Sequence, residues 1–208
     1  MIRNSFNQGP EGWCSYDYHW SIVAGGRNIF ILTTWESSGG VRDSGYVWCD
    51  HTRWSADTPE TPVSVLPFIM YVNWVGREPM DLGGARVSVY LRGDGLKLNG
   101  AKCFFWVVGT GGRWHLFSQP LRISEGAWDP EPNAITLSND PSQWHRSWST
   151  DPSNPPALDT ILGRAASYGF SLVGFAQEPR GRFSMDEFEI RIPDSHKTDA
   201  DAPAATGS

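Results

Sequence analysis

Residues 181–192 read GRFSMDEFEIRI, and the alternation of their side chains decides the fold. In an extended strand, successive side chains point to opposite faces. Phe183 and Met185 fall on one parity and Phe188, Ile190 and Ile192 on the other, so the buried face switches near Asp186. A β-bulge produces such a switch, because one extra residue turns the strand over and re-aims a side chain. Strict parity would leave Asp186 on the face of Phe188 and Ile190, where a bare carboxylate is costly unless paired. The segment reads as the closing strand of a sheet domain.

The same alternation recurs upstream. In ARVSVYLRG (85–93), Val87, Val89 and Leu91 point one way while Arg86, Ser88, Tyr90 and Arg92 point the other. AKCFFWVV (101–108) is apolar on both faces, as a central strand covered on each side should be. The turn-rich GTGG that follows predicts a hairpin with GRWHLFSQPLRI. Further strands are expected near 27–35, 45–50, 63–74, 134–138 and 168–177. The best helical candidate lies in DPSNPPALDTILGRAAS: Leu158, Ile161, Leu162 and Ala165 recur at helical spacing, with Asn154 or Ser153 as cap. The expected fold is therefore all-β, a jelly-roll sandwich of two antiparallel sheets with one short helix before the penultimate strand.

Composition agrees. Aromatic residues make up 13% of the 208, with 11 Trp, and 22 Gly and 15 Pro favour short strands joined by many turns. A net charge of -6 without any cluster of Lys and Arg argues against nucleic acid as partner. No apolar run long enough for a membrane span or a signal peptide is present, and three cysteines have no framework spacing. The expectation is a cytoplasmic protein without membrane partner; a secreted chain trimmed of its signal would read the same way. Residues 1–192 form one expected domain, and the polar stretch DSHKTDADAPAATGS after Pro193 an expected disordered tail, 193–208.

The order of the motifs EGWCSYDYH, GGVRDSGYVWCD, DLGGARVSVYLRG, LDTILGRAASYGFSLVGF and GRFSMDEFEI resembles the laminin B (domain IV) family and related jelly-roll carbohydrate-binding modules of the galactose-binding-like kind. The resemblance covers most of residues 6–192. It implies a lectin-like, carbohydrate-binding β-sandwich. In such modules the closing-strand aspartate commonly ligates a structural Ca²⁺, which would give that role to Asp186 with oxygens from Asn4, Asn7 or Glu11. The alternative is that Asp186 accepts hydrogen bonds from backbone N–H groups or pairs with Arg182.

Two stretches carry the chemistry of a glycan site. GYVWCDHTRW gathers Tyr46, Trp48, Asp50, His51, Arg53 and Trp54; sugars stack their C–H faces on rings and offer hydroxyls to charged or polar groups. If 85–93 pairs with 101–108, one face would show Tyr90 and Arg92 beside Trp106. The candidate ligand-binding residues are thus Trp48, Asp50, His51, Arg53, Tyr90, Arg92 and Trp106, for a carbohydrate or a small polar or aromatic ligand. His115 and His145, each beside a Trp, read as structural or surface residues. Glu187 and Glu189 share a face, as glycosidase carboxylates do, but no catalytic motif accompanies them. An alternative is a small jelly-roll enzyme, a glycan lyase, hydrolase or cyclase, using the same groove. Arg92–Asp94 spells RGD, a triplet too short to carry weight.

Overall fold

The computed structural model describes residues 1–16, 30–56 and 63–193. Two sheets pack face to face. The first contains β1 (Ile2–Asn4), β4 (Thr34–Glu36), β5 (Tyr46–Asp50), β8 (Arg86–Lys97), β11 (Ser124–Glu125), β12 (Asn133–Thr136) and β15 (Arg180–Arg191). Its strands run β11-β8-β15-β5-β4, with β1 beside β15 and β12 beside β8. The second contains β2 (Cys14–Tyr16), β3 (Phe30–Leu32), β6 (Ser55–Ala56), β7 (Ser64–Tyr71), β9 (Lys102–Gly109), β10 (Gly112–Leu116), β13 (Trp144–Ser149) and β14 (Ser167–Val173). Its order is β13-β10-β9-β14-β7-β2-β3, with β6 on β7. The pairs are antiparallel apart from β11–β8, which is parallel. The all-β sandwich expected from the pattern is what the chain forms.

Each alternating segment takes its expected place, with shifted ends. The segment expected near 27–35 becomes two strands, β3 in the second sheet and β4 in the first, so the chain changes layer at Thr33. The hairpin at GTGG is present, with Gly109 opposite Gly112. The helix α1 (Leu158–Gly163) buries Leu158, Ile161 and Leu162, and Ala157 stands at its N-cap in place of Asn154 or Ser153. Two elements are corrections. Strand β13, WHRSWS in the sequence, was not anticipated, because its polar residues conceal the pattern. The pairing of 85–93 with 101–108 does not occur: β8 is already flanked by β15 and β12, while β9 pairs with β10 and β14 in the other sheet. The expected tail beyond Pro193 lies outside the described residues.

The core between the sheets is aromatic. Trp13, Phe68, Phe105, Tyr168, Phe170, Phe183 and Phe188 are all buried there. The bulge foreseen near Asp186 is present: Asp186 pairs with Tyr90 but Glu189 with Ser88, three residues against two, and Glu187 sits at φ 46°. Phe183, Met185, Phe188 and Ile190 thereby all reach the core, and Asp186 leaves their face for the outer side of the first sheet. There it is fully buried beneath the turn at residues 39–44. Its Oδ2 accepts hydrogen bonds from the Val41 N–H (2.7 Å) and the Ser44 hydroxyl (2.8 Å), and its Oδ1 from the Glu187 N–H (2.6 Å). Gly40 is required by closeness, since a Cβ there would stand 2.5 Å from Asp186 Oδ2.

Candidate functional site

Trp48, Asp50, Tyr90 and Arg92 come together on the outer face of the first sheet. Cross-strand register sets Trp48 and Arg92 on either side of Ser184, and Asp50 and Asp94 on either side of Arg182. The rings here are already occupied by cations. The Arg92 guanidinium lies 4.9 Å from the Tyr46 ring centroid and 4.5 Å from that of Trp128, and that of Arg182 lies 3.9 Å from the Trp48 ring. Arg92 also pairs with Asp94 (3.2 Å) and donates to the Gly39 carbonyl (3.3 Å), which accepts from Trp128 Nε1 as well (2.9 Å). Trp48 Nε1 donates to Glu36 (3.1 Å). The RGD triplet is thus an internal ion pair.

His51 and Arg53 lie past the end of β5 and act as ties. His51 Nδ1 accepts from the Gly181 N–H (3.1 Å), Arg53 Nη1 donates to Thr34 Oγ1 (2.7 Å), and the Arg53 carbonyl accepts from Ser15 (2.6 Å). Asp50 closes its own turn by accepting from Thr52 N–H and Oγ1. Trp106 is on the other side of the molecule. It had been grouped with Tyr90 and Arg92 on the strength of a strand pairing that does not form.

The outer face of the second sheet holds a different set. Alternation along β9 sends Cys103, Phe105 and Val107 into the core and Phe104 and Trp106 outward. His115 on β10 stands opposite Trp106 on one side and His145 of β13 on the other, and Ser171 of β14 stands opposite Phe104. Gly169, also opposite Trp106, leaves room for the indole: a Cβ there would meet Trp106 Cζ2 at 2.7 Å and the Phe68 carbonyl closer still. The Arg113 guanidinium lies 6.0 Å from the Trp106 ring. Phe117 sits between Phe104 (4.5 Å) and His145 (4.9 Å), at the exposed margin.

On this face three polar atoms are buried and have no hydrogen-bond partner among the described residues: Trp106 Nε1, His115 Nε2 and Ser171 Oγ. Most buried polar groups in folded proteins are paired, and leaving one unpaired costs about 1–3 kcal/mol. Trp54 and Trp114, whose Nε1 atoms are also unpaired, pack against the core, and Ser184 is on the first sheet. The clustering on one face singles out the second sheet.

His115 Nδ1 is 2.8 Å from the Ser147 hydroxyl, which also accepts from Arg113 Nε (3.1 Å). Burial, helped by Arg113 and His145, pushes the His115 imidazole well below its ordinary value of 6.5. Its folded value therefore lies below its unfolded one, and the unfolded chain takes up the proton first. That stabilisation is present above about pH 6.5 and is lost on acidification towards the folded value, at no more than about 1.4 kcal/mol per pH unit. Thermal melts from pH 7.5 to 5 should show this decline, and His115→Gln should flatten it; parallel declines would refute the assignment. The sequence reads His115 as a structural or surface residue and does not single out Ser171. Their chemistry emerges only when β10, β13 and β14 are brought side by side.

Asp186 was the candidate calcium ligand. A Ca²⁺ ion needs six to eight oxygen ligands, whereas the three groups on Asp186 are N–H and O–H donors. The N-terminal oxygens are also engaged: Asn4 Nδ2 donates to Glu11 (2.8 Å), and Asn4 Oδ1 accepts from Trp13 Nε1 (3.2 Å). Among the described residues no group of three or more His, Cys, Asp or Glu is placed to hold a metal. The surroundings of Asp186 fit a hydrogen-bonded carboxylate and do not fit calcium. Chelation with EDTA is expected to leave Tm unchanged, and a fall of several degrees would refute this. The three cysteines are free and buried, and burial pushes Cys14 and Cys49 up to about 12. Among the described residues no helix is long and apolar enough to cross a membrane.

No family model matches the chain, and no curated protein matches it. Among solved structures it is similar to the family 11 carbohydrate-binding module of the cellulosomal cellulase Lic26A-Cel5E of Clostridium thermocellum, at 13% identity over 79% of this chain and 84% of that one, TM-score 0.46. It is also similar to a family 28 carbohydrate-binding module specific for non-crystalline cellulose, at 12% identity over 92% and 94%, TM-score 0.39. An exo-beta-agarase is matched at 10% identity, with 94% of this chain covering 26% of that one, TM-score 0.46. None reaches a TM-score of 0.5, and the assignment of a ligand rests on the chemistry of the face described above.

Proposed function

We propose that the protein is a carbohydrate-binding β-sandwich whose sugar site is the outer face of the second sheet. The observation that carries the proposal is the cluster of three buried, unpartnered polar atoms among aromatic rings: Trp106 Nε1, His115 Nε2 and Ser171 Oγ. An indole N–H only donates, a serine hydroxyl donates and accepts, and the free imidazole nitrogen does one or the other according to tautomer. Sugar hydroxyls both donate and accept, so they match all three once the side chains covering these buried atoms move aside. Phe117 and His145 at the margin add ring surface for the C–H face of a pyranose. The nearer kinship with laminin B (domain IV) domains belongs to this proposal, supported by the closing-strand aspartate and the order of the motifs. A reducing compartment is supported by three unlinked thiols.

Tryptophan fluorescence and calorimetry against a panel of neutral glucans, xylans and galactans test the reading. At least one glycan should perturb Trp emission and bind. Trp106→Phe keeps a ring but deletes the N–H, and should weaken that binding about tenfold, roughly 1.4 kcal/mol, as should Ser171→Ala. A panel without a ligand, or binding unaltered by both variants, would exclude this face. One feature favours a second reading, a glycan lyase or hydrolase: His115 is held at Nδ1 by Ser147 with Nε2 free, the arrangement of a positioned general base. New reducing or unsaturated ends that vanish in His115→Gln would establish it.

A further inference from the structure

A cleft of about 450 Å³ opens on the outer face of the first sheet, on the opposite side from the proposed sugar site. Four arginines line it, Arg3, Arg42, Arg86 and Arg191, against two glutamates. Glu187 is paired with Arg3 (2.9 Å) and Glu189 with Arg191. Among the described residues neither the Arg42 nor the Arg86 guanidinium has a hydrogen bond or ion pair, whereas Arg3 and Arg191 are both paired. In a chain of net charge -6, two uncommitted guanidinium groups therefore border one concavity.

The position of Arg42 is built in. It lies in the left-handed region at φ 57°, followed by Asp43 at φ 63°, conformations that side chains other than glycine adopt only under constraint. The constraint is the buried Asp186, which grips the Val41 N–H on one side of Arg42 and the Ser44 hydroxyl on the other. The turn is thus held so that a strained residue brings a cation to the lining of the cleft. Arg86 projects from β8, on the same face as Ser88 and Tyr90, which also line the cleft.

We propose that this cleft is an oxyanion site for a small organic acid, whose acid group lies between Arg42 and Arg86. Guanidinium forks match the two oxygens of a carboxylate or sulfate. The volume admits a ligand of sugar size with its body against Tyr90. The site is independent of the proposed sugar site and of any catalytic activity there.

Titration followed through arginine Nε–H resonances tests it at constant ionic strength, with sodium sulfate, sodium glucuronate and, as neutral counterpart, glucose. Sulfate and glucuronate should shift the Arg42 and Arg86 signals saturably and compete with each other, and glucose should leave them in place. The Arg42→Gln/Arg86→Gln double variant should weaken glucuronate binding at least tenfold, while Arg164→Gln, at the exposed end of α1, should not. Arg42→Gly relieves the backbone constraint and removes the cation together, so binding should fall with Tm kept or raised, which separates a lost site from a damaged fold. The proposal is overturned if neither anion gives saturable shifts, if glucose moves the same signals, or if the double variant binds glucuronate as the parent does. Because the readout is confined to this face, failure here leaves the Trp106 proposal standing, and the converse holds.

Discussion

Replacing Trp13 with alanine is expected to cost about 3–5 kcal/mol, the range for deleting a fully buried large aromatic side chain. Trp13 is wholly enclosed and lies between the layers. It meets Phe188 of the first sheet edge-on at 4.9 Å, and from the second sheet Tyr168 at 5.9 Å, Phe170 at 6.0 Å and Phe68 at 6.4 Å. Such ring pairs add about 0.5–1.5 kcal/mol each beyond the area they bury. Surrounding strands cannot collapse into the space, because each is fixed in its ladder. For a domain of this size each kcal/mol moves Tm by roughly 2–4 °C, so Tm should fall by about 6–20 °C. Trp13→Phe should lose less than half as much. A change of under about 4 °C in the alanine variant would show that the two layers do not depend on this residue.

The second large effect is at Asp186. Asp186→Ala leaves the buried Val41 N–H and the Glu187 N–H without their acceptor, while the Ser44 hydroxyl keeps the Val41 carbonyl at 2.6 Å. At about 1–3 kcal/mol for each stranded donor, the loss should be about 2 kcal/mol or more. Burial pushes the Asp186 carboxyl up while the three donors pull it down, and burial is the larger influence. Asp186→Asn should fall between parent and alanine: its oxygen still accepts from the turn, but its amide presents a donor to the Glu187 N–H. Release of the turn also frees Gly39, whose carbonyl positions Arg92 and Trp128. Trp128 emission should therefore change in Asp186→Ala and less in Asp186→Asn. If Asp186→Ala melts with the parent, the carboxylate is not what holds the turn.

How far the sequence led can be read from particular residues. The bulge at 186–187 was legible because apolar parity switches within six positions and few other devices produce that. The burial of β9 on both faces was legible from its unbroken apolar run. Strand partners were not. Pattern reports which way a side chain points but not what lies alongside, so β8 and β9, adjacent in sequence, were paired when they belong to different layers. Trp48 and Arg92 were recognised as aromatic and cationic surface. The residues that close over them, Arg182 and Trp128, come from strands and loops tens of positions away, and no local signal announces them. His115 reads as structural or surface for the same reason. Its neighbours Trp106, His145 and Ser147 are assembled by ladders, not by spacing.

The pairing of β1 with β15 has a mechanical consequence. Ile2 lies beside Ile190 and Asn4 beside Phe188, in opposite directions, so the outer ends of β1 and β15 lie together at one corner of the sandwich. Tension drawn through both ends would open this contact rung by rung, as a zip, instead of loading all its rungs at once in shear. The module should therefore yield at low force from that corner, with Asp186 and its turn next in line to give way.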